Sequence, residues 1–223
     1  MAYITWIETI RPVSLGKRFE LNSDGILTKN VVANISEGTV TTLAKVIPNR
    51  LVSLLNLAAE NDKYTLMTGR FLGEQHKAEA KLITRKSLAK KLDCVEFDVP
   101  GGVQEIEGER CVARLKSGIE TSEWLVIDAD DPEGIPDEWS ILNLQERLEL
   151  LEPLVPGIST CARVEYRSSS ARVIRVGEQP RGATHAWIQI SDPAKTETLR
   201  ERVKVQMQLQ GLSFPSPRYS KET

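Results

Sequence analysis

Two carboxylates one residue apart close an apolar run at Trp124-Leu125-Val126-Ile127-Asp128-Ala129-Asp130-Asp131-Pro132. Side chains alternate faces along a strand, so Asp128 and Asp130 are expected to project to the same side. Two carboxylates at a strand end repel each other and are costly to desolvate unless a cation sits between them. A hard divalent ion, Mg²⁺ or Mn²⁺, suits them because such ions take oxygen ligands. The competing reading is that Asp-Asp-Pro ends a strand and opens a solvated turn.

Three further pieces follow in order: Ser168-Ser169-Ser170, the nearby Arg172, and His185. Hydroxyls and backbone N–H groups of a serine turn can donate to phosphate oxygens. His185 and arginines such as Arg172 can balance phosphate charge. Taken singly, each has a plain alternative as a polar loop, a bonded strand histidine or a solvated hairpin arginine. Their order suggests a site for a nucleoside triphosphate beside a divalent metal.

The elements that must position these residues are read from periodicity. Glu123–Ile127 is expected as a strand and Pro136–Leu151 as a helix. Ser159–Tyr166, Arg172–Val176 and Thr184–Ile190 are expected as strands, and Lys195–Gln210 as a helix capped by Gly211. This β-α-β, hairpin, β-α order is compatible with an RRM-like or ferredoxin-like sheet. Upstream, Tyr3–Glu8, the hairpin around Asn22-Ser23-Asp24-Gly25, Thr39–Val46 and Tyr64–Met67 are expected as strands. Pro48–Glu60 has apolar residues at helical spacing, with Leu51, Leu54, Leu55 and Ala58 on one face. Gly73–Lys91 is basic and weakly patterned, expected as a solvated helix or loop; its functional reading is phosphate contact through Lys81, Arg85 and Lys86. Val95–Val99 is expected as a short strand, and Gln104–Arg110 as a loop or exposed helix.

The 223 residues are 27% charged and 40% hydrophobic with a net charge of −2, so the composition is globular and any nucleic-acid surface must be local. Cys94, Cys111 and Cys161 show no Cys-x-x-Cys spacing, which points away from zinc and from a disulfide framework. Neither a signal peptide nor a membrane helix is expected, and the predicted location is cytoplasmic.

Together these pieces resemble the archaeo-eukaryotic primase superfamily, in particular the primase-polymerase domains of phage and plasmid replication proteins. Val126-Ile127-Asp128-Ala129-Asp130 is similar to the first motif of that family. Tyr166-Arg167-Ser168-Ser169-Ser170-Ala171, followed by Gly182-Ala183-Thr184-His185-Ala186-Trp187-Ile188, resembles the second, split here by a hairpin. Leu199-Arg200-Glu201-Arg202 to Gln210-Gly211-Leu212, and the early Leu15–Phe19 and Asp24-Gly25 segments, also look like family members.

The resemblance implies an α+β fold, a two-part primase-polymerase core with an RRM-like antiparallel sheet and packed helices. Residues 1–110 would form an N-terminal α/β subdomain, and 111–223 the metal- and nucleotide-binding subdomain. It further implies Asp128 and Asp130 as catalytic metal ligands, and Ser168, Ser169, Ser170 and His185 as contacts to the triphosphate, to which the reading of the residues themselves adds Arg172. A single-stranded DNA template and a helicase domain or subunit are the implied partners, in a bacterial or phage-infected cytoplasm.

The chain departs from the family at its third, acidic motif, since residues 212–223 contain no Asp. The expectation is therefore either an excised part of a longer replication protein or a variant with altered metal chemistry. Two other classes fit the same residues: a non-catalytic nucleic-acid-binding replication module with a degenerate primase site, and a metal-dependent nuclease.

Overall fold

Side chains alternate along a strand, so one face can be buried, and β1 (Ile4–Arg11) and β4 (Glu37–Leu43) do so through Thr5, Ile7 and Thr9 of the first and Gly38, Val40 and Thr42 of the second. The computed structural model describes residues 1–24, 27–32, 34–74, 78–128, 142–167 and 184–209. The fold is α+β, and the chain divides into two compact units at Trp124/Leu125. The boundary expected after residue 110 falls inside β9 (Glu109–Val112), a strand of the first unit's main sheet, so residues 111–124 belong with that unit.

The first unit is built on a six-stranded sheet. Besides β1, β4 and β9 it contains β5 (Tyr64–Thr68), β7 (Glu79–Ile83) and β8 (Gln104–Ile106), in the order β5-β1-β4-β7-β9-β8. Neighbours run antiparallel except β7 and β9, which are parallel and are joined through α2 (Arg85–Leu92). Ile7, Val40, Phe71, Ala80, Leu82 and Val112 form one cluster. Ile83, Leu88, Ala89, Val99, Cys111 and Ala113 form another, which includes the buried residues of α2. β2 (Gly16–Leu21) and β3 (Leu27–Val32) form the expected hairpin, and β6 (Arg70–Phe71) pairs with β10 (Ile119–Glu120). Helix α1 spans Pro48–Glu60 as its pattern predicts. Pro48 sits at the start, where its missing N–H is harmless, and Leu51 and Leu55 are buried.

Three expectations in this unit are corrected. The basic stretch is not one solvated helix or loop, because Glu79–Ile83 is a core strand whose Ala80 and Leu82 are buried while Lys81 lies between them in sequence. Val95–Val99 is not a strand: Glu96–Asp98 makes a 3₁₀ turn, after Asp93 ends α2 in the left-handed conformation at φ 51°. Gln104–Arg110 is the β8–β9 hairpin, turning through Glu107 (φ 52°) and Gly108 (φ 80°), the paired positive φ of a tight hairpin turn.

The second unit contains β11 (Trp124–Asp128, from Leu125 onward), α3 (Leu144–Leu151), β12 (Arg163–Arg167), β13 (Thr184–Gln189) and α4 (Thr196–Leu209). Its sheet runs β11-β13-β12, with β12 and β13 antiparallel. The first strand beside the third is the order of a split β-α-β sheet, in keeping with the RRM-like expectation. Leu144 and Leu148 of α3 pack with Ile158, Ala186 and Ile188.

The helix expected from Pro136 begins instead at Leu144. Asn143 is extended (ψ 173°), and its side chain accepts from Glu146 N at 3.0 Å while Glu146 Oε2 accepts from Asn143 N at 2.7 Å. Residues 136–141 lie outside the described residues. The strand expected from Ser159 starts at Arg163, because the Glu152 carboxylate holds a turn by accepting from Gly157 N, Ser159 N and Ser159 Oγ at 2.5, 2.9 and 2.7 Å. The Ser159 hydroxyl, then the two backbone N–H groups, hold the Glu152 carboxyl below its usual range. Arg172–Val176 and Gly211 lie outside the described residues. No helix among the described residues is long and apolar enough to cross a membrane.

Candidate active site

The apolar run of β11 ends on a charge, so Asp128 sits at the strand's exposed end, with its side chain 57% accessible. β13 is the central strand of its sheet and lies between β11 and β12. Its parity is set by the core: Ala186 and Ile188 pack with Leu144 and Leu148, which turns His185 and Trp187 to the opposite face. On that face His185 Nε2 lies 3.2 Å from Asp128 Oδ1. The carboxylate attracts the imidazole when the ring is protonated. Tyr166 of β12 stands directly opposite His185 in the antiparallel register.

The structure thus brings together two of the residues that the sequence singles out, Asp128 and His185. Asp130, Ser168, Ser169, Ser170 and Arg172 lie outside the described residues. A solvent-open carboxylate is the donor that a hard divalent cation accepts, so Asp128 fits one position of a Mg²⁺ or Mn²⁺ site. Among the described residues no group of three His, Cys, Asp or Glu side chains is disposed to hold a metal ion.

The three basic candidates for template contact sit in the first unit and differ in their surroundings. Lys81 of β7 lies 3.2 Å from Glu109 Oε1 and 3.7 Å from Glu37 Oε1. Lys91 takes the other Glu109 oxygen at 2.9 Å. Lys91 first and Lys81 second hold the Glu109 carboxyl down to about 2. Arg85 opens α2 and donates from Nε to Glu96 O at 2.5 Å and from Nη2 to Phe97 O at 2.8 Å. Its guanidinium also lies 5.2 Å from the centroid of the exposed Phe97 ring. Lys86 is exposed. Sequence reasoning treated these three cations alike, whereas the fold gives two of them protein partners.

One residue of the site's face was passed over in the sequence. Trp187 is 6% exposed, and its indole Nε1 is a buried donor with no hydrogen-bond partner among the described residues. The signal was the alternation of residues 184–190, which groups Trp187 with His185. No family model, no curated protein and no solved structure matches this chain.

Proposed function

We propose that the chain is a primase-polymerase catalytic domain performing metal-dependent, template-directed nucleotidyl transfer in phage or plasmid replication. The observation that supports this reading is the 3.2 Å approach of His185 Nε2 to Asp128 Oδ1 from a neighbouring strand. It joins the proposed metal ligand to the proposed triphosphate contact across 57 residues of sequence (185 − 128). Asp128, with Asp130, would hold Mg²⁺ or Mn²⁺, which when bound neutralises triphosphate charge and favours attack by a 3′-hydroxyl. The carboxylate keeps the imidazole oriented before substrate arrives, so that Nε2–H can be passed to a phosphate oxygen. Ser168, Ser169, Ser170 and Arg172 would add donors to the same phosphates. Lys86 would serve a single-stranded DNA template, and a helicase domain or subunit would supply the opened strand.

The test is incorporation of labelled nucleotides on a primed single-stranded template with Mn²⁺. The combined Asp128→Ala and Asp130→Ala variant is expected to keep its circular dichroism spectrum and lose incorporation. Unchanged incorporation in that variant would overturn the proposal. Running the assay with and without nucleotides separates synthesis from strand cleavage by the same carboxylates.

A further inference from the structure

Single apolar side chains on a surface need no explanation, but one that the fold braces in an exposed position does. Phe97 is 83% exposed, more than any other large apolar side chain among the described residues, and Val95 before it is 64% exposed. The 3₁₀ turn that carries the ring is tied down on both sides. Ahead of it, Leu92 and Cys94 pack against the cluster of Ile83, Leu88 and Cys111, and beyond it Val99 is buried in the same cluster. Asp98 N donates to Val95 O at 2.9 Å across the turn, and Arg85 reaches over from α2 to bond the carbonyls of Glu96 and Phe97. The ring is thus presented by a braced turn, with the Arg85 guanidinium beside it.

The charges near the ring are sorted by sign. Lys86 and Lys90, both exposed, stand four residues apart on α2 and share a face of the helix. The bonds from Arg85 show that the chain doubles back, so that Glu96 and Phe97 lie beside the start of α2. Asp93, Glu96 and Asp98, also exposed, are the acidic residues of the turn and its approach. Lys91 is taken by Glu109, whereas Lys86 and Lys90 have no ion-pair partner among the described residues. A single strand of DNA is sorted in the same way. Phosphates line one edge, and the other carries bases whose flat faces stack on aromatic rings and whose edges hold N–H donors for carboxylates. The acidic turn repels phosphate, which leaves the backbone to the lysines and the bases to Phe97. Stacked pairs in a duplex offer no free base face, so the patch suits a single strand.

We infer that Phe97 is a base-stacking platform for single-stranded DNA, with Lys90 joining Lys86 on the phosphates and Arg85 as the positioning residue that fixes the turn. The inference rests on the template reading above and adds the aromatic contact which that reading lacks. It also gives Arg85 a role compatible with its two carbonyl bonds, since the guanidinium holds the ring in place rather than meeting phosphate. Stacking tolerates any sequence because every base has a flat face, as a template strand requires.

The probe is a fluorescently labelled deoxythymidine oligomer, its binding followed by anisotropy over a range of salt. Phe97→Ala and Phe97→Leu are each expected to weaken binding about tenfold with the salt slope unchanged, because stacking releases no counterions. Phe97→Trp is expected to keep or tighten binding. Lys90→Gln is expected to weaken it with a salt slope lower in magnitude by about one. Thermal stability of the Phe97 variants is expected to match wild type, since the ring is exposed. If Phe97→Leu binds like wild type while Phe97→Ala does not, the contact is apolar rather than stacking, and the inference is overturned. A Phe97→Ala variant that keeps its affinity but dissociates a dimer in sedimentation assigns the ring to a second copy of the chain, which also overturns it. Wild-type protein that fails to bind the oligomer defeats the template reading itself, whereas wild-type binding unaffected by Phe97→Ala and Phe97→Leu defeats only the role of the ring.

Discussion

Glu74 offers a test of the first unit that depends on counting protons. Its side chain is buried at 6% exposure, and Oε2 meets both the Thr42 hydroxyl and Phe71 N, the latter at 3.3 Å. Thr42 Oγ1 also lies 3.1 Å from Thr5 Oγ1, which donates to Gly69 O at 2.8 Å. If Glu74 is ionised, Thr42 must donate to it and Thr5 donates to Gly69, so the contact between the two hydroxyls holds no proton. If Glu74 is protonated, the relay runs Glu74 to Thr42 to Thr5 to Gly69, and every contact has its hydrogen. Burial independently pushes the Glu74 carboxyl up, against the hydrogen bonds from Thr42 and Phe71 and the attraction of Arg110.

A folded pKa above the unfolded one gives stability that is complete below the unfolded value, near 4.3 for Glu, and is lost as pH rises through the folded value. Each unit of elevation corresponds to about 1.4 kcal/mol at pH values above both. The perturbation is Glu74→Gln, which removes the titration while keeping size and polarity. Urea denaturation of wild type and variant between pH 5 and 8.5 isolates the residue, because every other titrating group is shared. The wild type is expected to lose stability relative to Glu74→Gln as pH rises. Parallel curves, or a wild type that gains on the variant with rising pH, would refute the proton count.

Two further outcomes follow from geometry already described. Charge reversal of Lys86 is expected to weaken single-stranded DNA binding and lower the magnitude of its salt slope by roughly one, whereas reversing Lys81 should instead lower stability by placing three carboxylates together; equal salt slopes for the two variants would remove the template assignment. A methyl group on Gly118 would meet Gly102 N at 2.1 Å and Gly101 Cα at 2.7 Å, so Gly118→Ala is expected to cost more than about 2 kcal/mol in denaturant unfolding, and a neutral result would contradict this backbone contact.

Much of the architecture was legible where local chemistry alone decides it. Pro48 and the spacing of Leu51, Leu54, Leu55 and Ala58 are sufficient to define α1, and Asn22-Ser23-Asp24-Gly25 marks the β2–β3 turn. The misread segments are those in which charge hides pattern. Lys81 obscures the Ala80/Leu82 alternation of β7 because its charge is satisfied by Glu109 and Glu37, residues distant in sequence. Glu105, Glu107 and Glu109 make the β8–β9 hairpin look like a solvated loop. At the candidate site, the acidic end of β11 could be read directly. That His185 neighbours Asp128 was expected from the order of the pieces and from the family resemblance, not from either strand by itself, because the order β11-β13-β12 is a property of the sheet.

The pairing of Tyr166 with His185 and of Val164 with Trp187 also bears on how this chain can change over generations. Strand parity is binary, so removing a single codon within residues 184–189 would exchange the faces of the β13 residues on one side of the deletion. Removing Thr184, with the strand held from its N-terminal side, would turn Ala186 and Ile188 outward and His185 and Trp187 into the packing against α3. Substitutions can retune this strand one side chain at a time, but length changes there must come in pairs of residues. A lineage that preserves Asp128–His185 is thereby confined to drift in side-chain chemistry, with the parity of residues along β13 held fixed.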